Sequence, residues 1–189
     1  MNAFREDLQA LVSRHVALAP APKLLRLVEA LEGDEAPLAF GMSAIAKRFT
    51  PIVQDGTPCM DPQDGEHVAT YDAKTNLTWL AGPVEGDERT WQESIDAASK
   101  VRLFGFTDWR APTIDEQLSI IDHTRSDPAV DSNFFKGPYG WTWTSTPAVA
   151  PAGCAWGVPL DDGGAFRLHQ SSRGQVRAVR TGQPLGFRF

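Results

Sequence analysis

Apolar residues recur at helical spacing near the start of the chain. Phe4, Leu8, Leu11 and Val12 share one face with His15, and Leu24, Leu27, Val28 and Leu31 share another. Ala19-Pro-Ala-Pro22 separates the two runs; Pro22 suits a first helical turn, and Gly33 closes the second. The pattern predicts a helical hairpin over residues 2–33, with a third short helix over Met42–Phe49. A hairpin this short is not stable alone. It must pack on the rest of the chain or on another copy. Residues 50–66, rich in Pro, Gly and Asp, read as a linker. Beyond them the period shifts. His67–Tyr71 and Leu77–Leu80 predict a hairpin turning at Asp72–Asn76. A helix is expected from Trp91 to about Leu103, started by Thr90 with Glu93 three residues on. Three or four strands are expected last: Trp141–Ser145, Ala155–Leu160, Ala165–His169 and Gln175–Arg180. Asp161-Asp-Gly-Gly164 supplies a tight turn between the middle pair. Two helices followed by antiparallel strands is an α+β pattern.

The densest local signal is Gly105-Phe-Thr-Asp-Trp-Arg-Ala-Pro-Thr-Ile-Asp-Glu-Gln-Leu-Ser-Ile-Ile-Asp122. Thr113 precedes the run Ile114, Leu118, Ile121, and Glu116 completes a capping box. Pro112 biases Ala111 away from helix, so the helix starts near Thr113 and runs to about Asp122. Trp109 is expected as a core anchor. Asp108 and Arg110 are expected to satisfy backbone groups or to pair with neighbouring residues.

This segment resembles the signature of the Lcl C-terminal domain family. Other blocks resemble it in the same order: Asn76-Leu-Thr-Trp79, Thr90-Trp-Gln-Glu-Ser-Ile-Asp-Ala-Ala98, Asp127-Pro-Ala-Val-Asp131 with Phe134 and Phe135, Trp141-Thr-Trp-Thr-Ser-Thr146, Ala155-Trp-Gly-Val158, and Val176-Arg-Ala-Val-Arg180. The resemblance covers about residues 66–183. It implies a C-type-lectin-like fold, related to formylglycine-generating-enzyme-like sheets: two helices and a twisted antiparallel sheet over 67–189. It also implies a binding module rather than an enzyme. Some members look like adhesins, and some are hypervariable. In the hypervariable ones, the stretch matching Ala155–Arg180 is similar to the ligand-facing region.

Composition narrows the field. The chain has 189 residues, 42% of them apolar and 22% charged, with six Trp, which supports a packed core and argues against disorder. A net charge of −6 disfavours general nucleic-acid binding. The charge is uneven. Residues 1–162 carry 13 Lys/Arg against 24 Asp/Glu, while residues 163–189 carry five Arg and no acid. No apolar run is long enough for a membrane span. The first residues show no basic region followed by an apolar core, so no secretory signal is expected. Cys59 and Cys154 are too few for a disulfide framework. A cytoplasmic or virion-associated protein with free thiols follows.

Chemistry is sparse. Cys154 and His169 are a conceivable dyad across a hairpin, but nothing signals a lowered thiol pKa. His15, His67, His123 and His169 lack zinc-type spacing, and the calcium-binding triplets of sugar-binding C-type lectins are missing. No catalytic residue, metal or cofactor is assigned. Trp141 and Trp143 alternate with Thr142 and Thr144, so the Trp pair is expected in the core and the threonines exposed or paired across strands. In the next strands, Phe166, Leu168, Val176 and Ala178 should face the core and Arg167, His169 and Arg177 solvent. The expected ligand surface is Arg167, His169, Arg173 and Arg177, with Asp161 and Trp156 beside it. It suits a protein partner with an acidic surface, and a glycan as second choice. Residues 1–49 would oligomerise or dock the chain, most simply as a homodimer. A phage-encoded or accessory factor acting on a host protein fits this reading; the alternative is a virion or cell-surface receptor-binding protein or adhesin.

Overall fold

The computed structural model describes residues 48–59, 61–62 and 66–183, all within a unit running from Lys47 to Phe189. The expected helical hairpin of residues 2–33 lies outside the described residues. So does the expected helix over 42–49 except at its last two positions, where Phe49 is instead in a strand.

The described residues form β1 (Phe49–Ile52), β2 (Ala69–Asp72), β3 (Leu77–Leu80), α1 (Trp91–Ser99), α2 (Ile114–Ser119), β4 (Trp141–Pro147), β5 (Cys154–Pro159), β6 (Phe166–His169) and β7 (Val179–Thr181). They build a mixed helix-and-sheet domain. The strands divide into two antiparallel sheets, one ordered β1-β2-β3-β7 and the other β4-β5-β6. β1 falls where a linker was expected. It pairs with β2 along its whole length, and Arg48 fixes it further through a bidentate bond to the buried Asp72 at 2.8 and 3.1 Å. The run is too short, and too close to Pro and Asp, for its pattern to show.

Both capping boxes form. Glu93 accepts from the Thr90 N–H, and Glu116 accepts from the Thr113 N–H, starting α1 and α2 where their sequences place them. Both helices end a turn early. After α1 the chain turns tightly at Phe104 and Gly105, both at positive φ. That turn sends Leu103, Phe104 and Phe106 into the cluster around Trp109, where a continued helix would carry them outward.

The Asp108-Trp109-Arg110 run is structural throughout. Its backbone lies beside β7, with Arg110 and Val179 exchanging both N–H···O bonds at 2.9 and 2.8 Å. Trp109 is buried among Ala98, Ala111, Val176 and Ala178. Asp108 accepts two bonds from Arg180, whose guanidinium also lies 3.6 Å over the Phe106 ring. Arg110 donates two 2.7 Å bonds to Glu116, the residue that caps α2. Those bonds hold the Glu116 carboxyl below its usual pKa. One tripeptide thus joins a strand, a core and a helix terminus.

The last expected strand, Gln175–Arg180, is regular only from Val179. Before that, the chain crosses between the sheets. Gln175 exchanges backbone bonds with Trp141 and Trp143 of β4, while Val176 and Ala178 accept from Val84 and Leu80 on the β3 side. This crossing is covered on both sides, and Val176, Arg177, Ala178 and Val179 are all buried. Arg177 is therefore not on the surface as strand alternation implied; it is 1% exposed. Its guanidinium donates to the carbonyls of Leu80, Ala81 and Lys136 and sits 5.7 Å from the Phe135 ring centre. Burial pushes it down to about 10, with Tyr139 acting in the opposite direction, so it stays protonated at neutral pH.

Three outcomes follow. Trp109→Ala should destabilise the domain by about 3–5 kcal/mol, the usual range for emptying an aromatic core site; chemical denaturation measures it, and an unchanged midpoint would remove Trp109 from the core. Arg177→Met keeps the stem but removes the donors, leaving the Lys136 carbonyl without its guanidinium partner. A loss of about 2–4 kcal/mol is expected, combining an orphaned acceptor with lost charge-assisted bonds. The third concerns pH. His67 is buried, and its Nε2–H donates to the Phe134 carbonyl at 3.2 Å. Burial, aided by Lys136, lowers its pKa. The unfolded chain therefore takes up this proton more readily. Stability is full above about pH 6.5 and declines as pH falls below it. Urea midpoints for the parent and His67→Gln should diverge less at pH 5.5 than at 7.5 if this titration sets the slope.

Candidate functional site

β6 lies at the outer edge of its sheet. Phe166, Arg167 and His169 are exposed, and Leu168 is half-buried. Phe166 was expected in the core and is 49% exposed. The alternation along this strand is real, but the face bearing Phe166 is only partly covered, by the Trp141 ring at 6.2 Å. Trp141 lies flat against the backbone: a Cβ added to Gly157 or Gly174 would come within 2.5 Å of its indole. Those two glycines let the ring sit between β5 and the crossing segment. Trp143 beside it is fully buried and donates to the Arg89 carbonyl at 3.1 Å. Thr142 and Thr144 are buried as well, not exposed, and Thr144 donates to the Trp156 carbonyl at 2.7 Å.

The strand register brings three of the expected site residues together. Trp156 stands opposite Arg167, and Cys154 opposite His169. Directly opposed residues share a face, so Trp156, Arg167 and His169 form one surface. The Arg167 guanidinium lies 5.5 Å from the Trp156 ring centre and donates to the Ala150 carbonyl at 2.6 Å. That second bond fixes the cation at the rim of the β4–β5 loop. His169 Nδ1 accepts from the hydroxyl and N–H of Ser171 at 2.7 and 3.3 Å. Its ring proton is therefore on Nε2, on the side of Gly153.

The other three residues lie elsewhere. Arg177 is in the interior, as described. Asp161 is in the β5–β6 turn at the far end of the hairpin, where its carboxylate accepts from the Asp162 N–H and its carbonyl from the Asp127 N–H. Arg173 lines a separate surface cavity of about 520 Å³ with Asp87, Glu88, Arg89, Glu93 and Lys100. There it helps hold the Glu93 carboxyl below its usual pKa, after the larger effect of Thr90. Its charge is thus met by acids of the same domain. Sequence alternation could not separate these fates, because the chain leaves the sheet after His169 and turns back across β4. The Ser171-Ser172-Arg173-Gly174 turn chemistry is the signal that marks that departure.

Cys154 and His169 stand opposite each other in the β5–β6 register. Cys154 is buried, and His169 is already engaged at Nδ1 by Ser171. Among the described residues, no group of three His, Cys, Asp or Glu is placed to hold a metal ion. No helix among them is long and apolar enough to cross a membrane.

No curated protein matches the chain. The model of the Lcl C-terminal domain matches residues 68–180, from just before β2 to the middle of β7. That span is more than half of the 189 residues and includes the Asp108-Trp109-Arg110 run, both capped helices and the β4–β6 sheet. β1 precedes it, although it belongs to the same sheet as β2. The chain belongs to the Lcl C-terminal domain family.

Proposed function

We propose that this domain is a non-enzymatic binding module of C-type-lectin-like type, and that its ligand is a protein with an acidic surface. The observation that carries the reading is the makeup of β6. An outer strand presents Phe166, Arg167 and His169 to solvent, with Trp156 beneath the guanidinium. Aromatic rings and arginine are the groups that anchor protein interfaces: a ring buries a large area at a low cost in rotamer freedom, and a guanidinium offers a planar fork of donors. Arg167 is held by Ala150 and Trp156, so it is preorganised and loses less freedom on binding. In a chain of net charge −6, a fixed exposed cation also selects strongly by sign.

Panning a peptide-display library and a glycan array with the purified chain tests this reading. Acidic peptides should be enriched, and Arg167→Glu with His169→Glu should abolish the enrichment while leaving the melting temperature within a few degrees. Enrichment on the glycan array alone would make the ligand a sugar. Enrichment in neither would sink the binding-module reading.

A further inference from the structure

We propose that β6 binds its partner by strand addition, with an acidic, extended segment pairing to the free edge of the β4-β5-β6 sheet. This deepens the binding-module reading and rests on it. The Gln170 N–H donates to the Gly153 carbonyl at 2.8 Å, and the Ala148 N–H donates to the Cys154 carbonyl at 2.9 Å. Gly153 therefore faces β6, and Cys154 faces β4. Antiparallel pairing alternates residue by residue. Ala155 and Gly157 thus bond to Leu168 and Phe166, which are their register partners. Arg167 and His169 must point their backbone groups away from the sheet. The His169 carbonyl is closed off by the Ser172 N–H at 2.8 Å. Outside the strand ladders, no described residue bonds to the N–H or C=O of Arg167 or to the N–H of His169. The opposite edge of the sheet differs, because Gln175 covers β4 there.

Three main-chain groups in a row can take one extended segment. The guest residue opposite Arg167 exchanges two bonds with it, and the residue opposite His169 accepts one. Register also dictates the guest's side chains. Those opposite Arg167 and His169 project on the face that carries the guanidinium and the imidazole Nε2–H. Those opposite Phe166 and Leu168 project on the face carrying the exposed phenyl ring. The edge therefore suits alternating acidic and apolar residues.

Charge decides between a partner segment and a second copy. An antiparallel copy of β6 centred on Arg167 would set the two guanidinium groups against each other, and like charges directly opposite each other destabilise a sheet. A charge on an edge strand is a common guard against self-pairing. The same charge admits a segment of opposite sign.

The test uses the full chain and an acetylated, amidated hexapeptide of alternating Glu and Val, with a Lys-Val hexapeptide as control. Without peptide, the Arg167 and His169 amides should exchange with solvent rapidly; slow exchange there would mean that the chain or a second copy already occupies the edge, and would overturn the proposal. With the Glu-Val peptide these two amides should become at least about tenfold more protected, as expected for a donor moved into a ladder, and Leu168 should change little. N-methylation of the Glu residues, whose N–H groups face Arg167, should weaken binding about tenfold or more, while N-methylation of the Val residues should be tolerated. Arg167→Glu should invert the preference between the two peptides. Equal loss from both methylations, or binding without protection of Arg167, would overturn strand addition and leave the binding-module reading in place. Failure of the display experiment is the separate result that removes both.

Discussion

The domain depends on a charge that is almost completely withdrawn from water. Arg177 is positioned where the chain crosses from one sheet to the other, and its guanidinium gathers the carbonyls at the end of β3 and in the loop after Phe135. A guanidinium without a carboxylate partner is costly to bury, and only fixed dipoles aimed at it make the position tenable. The cost is matched by what the arrangement excludes. The carbonyls of Leu80 and Ala81 lie at the end of β3 and that of Lys136 in a distant loop, so they come from two segments. A planar donor set reaches all of them at once, which an ammonium cannot do with the same geometry. The long loop between α2 and β4 is therefore tied to the sheet by polar bonds as well as by Val130, Phe134 and Phe135.

The same economy recurs at smaller scale. Glu116 caps a helix and pairs with Arg110, which is itself paired through its backbone with β7. Thr146 of β4 supplies an acceptor for the Ile114 N–H at 3.0 Å, so the start of α2 is fixed from two directions. Trp91 donates to Thr144 and Trp143 to the Arg89 carbonyl, linking α1 and its approach to β4. Helices of nine and six residues contribute little stability of their own. Their placement comes from these cross-links.

What the sequence revealed follows from range. Capping boxes, the Asp72–Asn76 turn and the Asp161–Gly164 turn are local, and the elements they delimit, β2, β3, α1, α2, β5 and β6, are present near their expected places. Trp109 and Trp143 were expected in the core and are there, although the alternation around Trp143 did not hold: Thr142 and Thr144 are buried too. β1 was not readable, since its strand character comes from pairing with β2 and from Arg48 meeting Asp72 across 24 positions. Arg177 misled for a related reason. Alternation assumes one covered face, and the crossing segment has two. Phe166 misled in the opposite sense, lying on a strand with little to cover it. Of the candidate surface, Trp156, Arg167 and His169 were legible because a hairpin register is itself a local property. Arg173 was not, since its setting depends on where the chain goes after leaving the sheet.

The residues that make this chain recognisable are not those that meet solvent on β6. Asp108, Trp109 and Arg110 are occupied with β7, the core and α2, and none is near the outer strand's exposed side chains in the pairing scheme. On β6 itself, three of four side chains lie outside the packed interior. The residues that hold the domain together and those that β6 exposes are thus written in separate parts of the sequence. The scaffold can be inherited intact while its outer strand is rewritten, and a shared signature carries no information about a shared ligand.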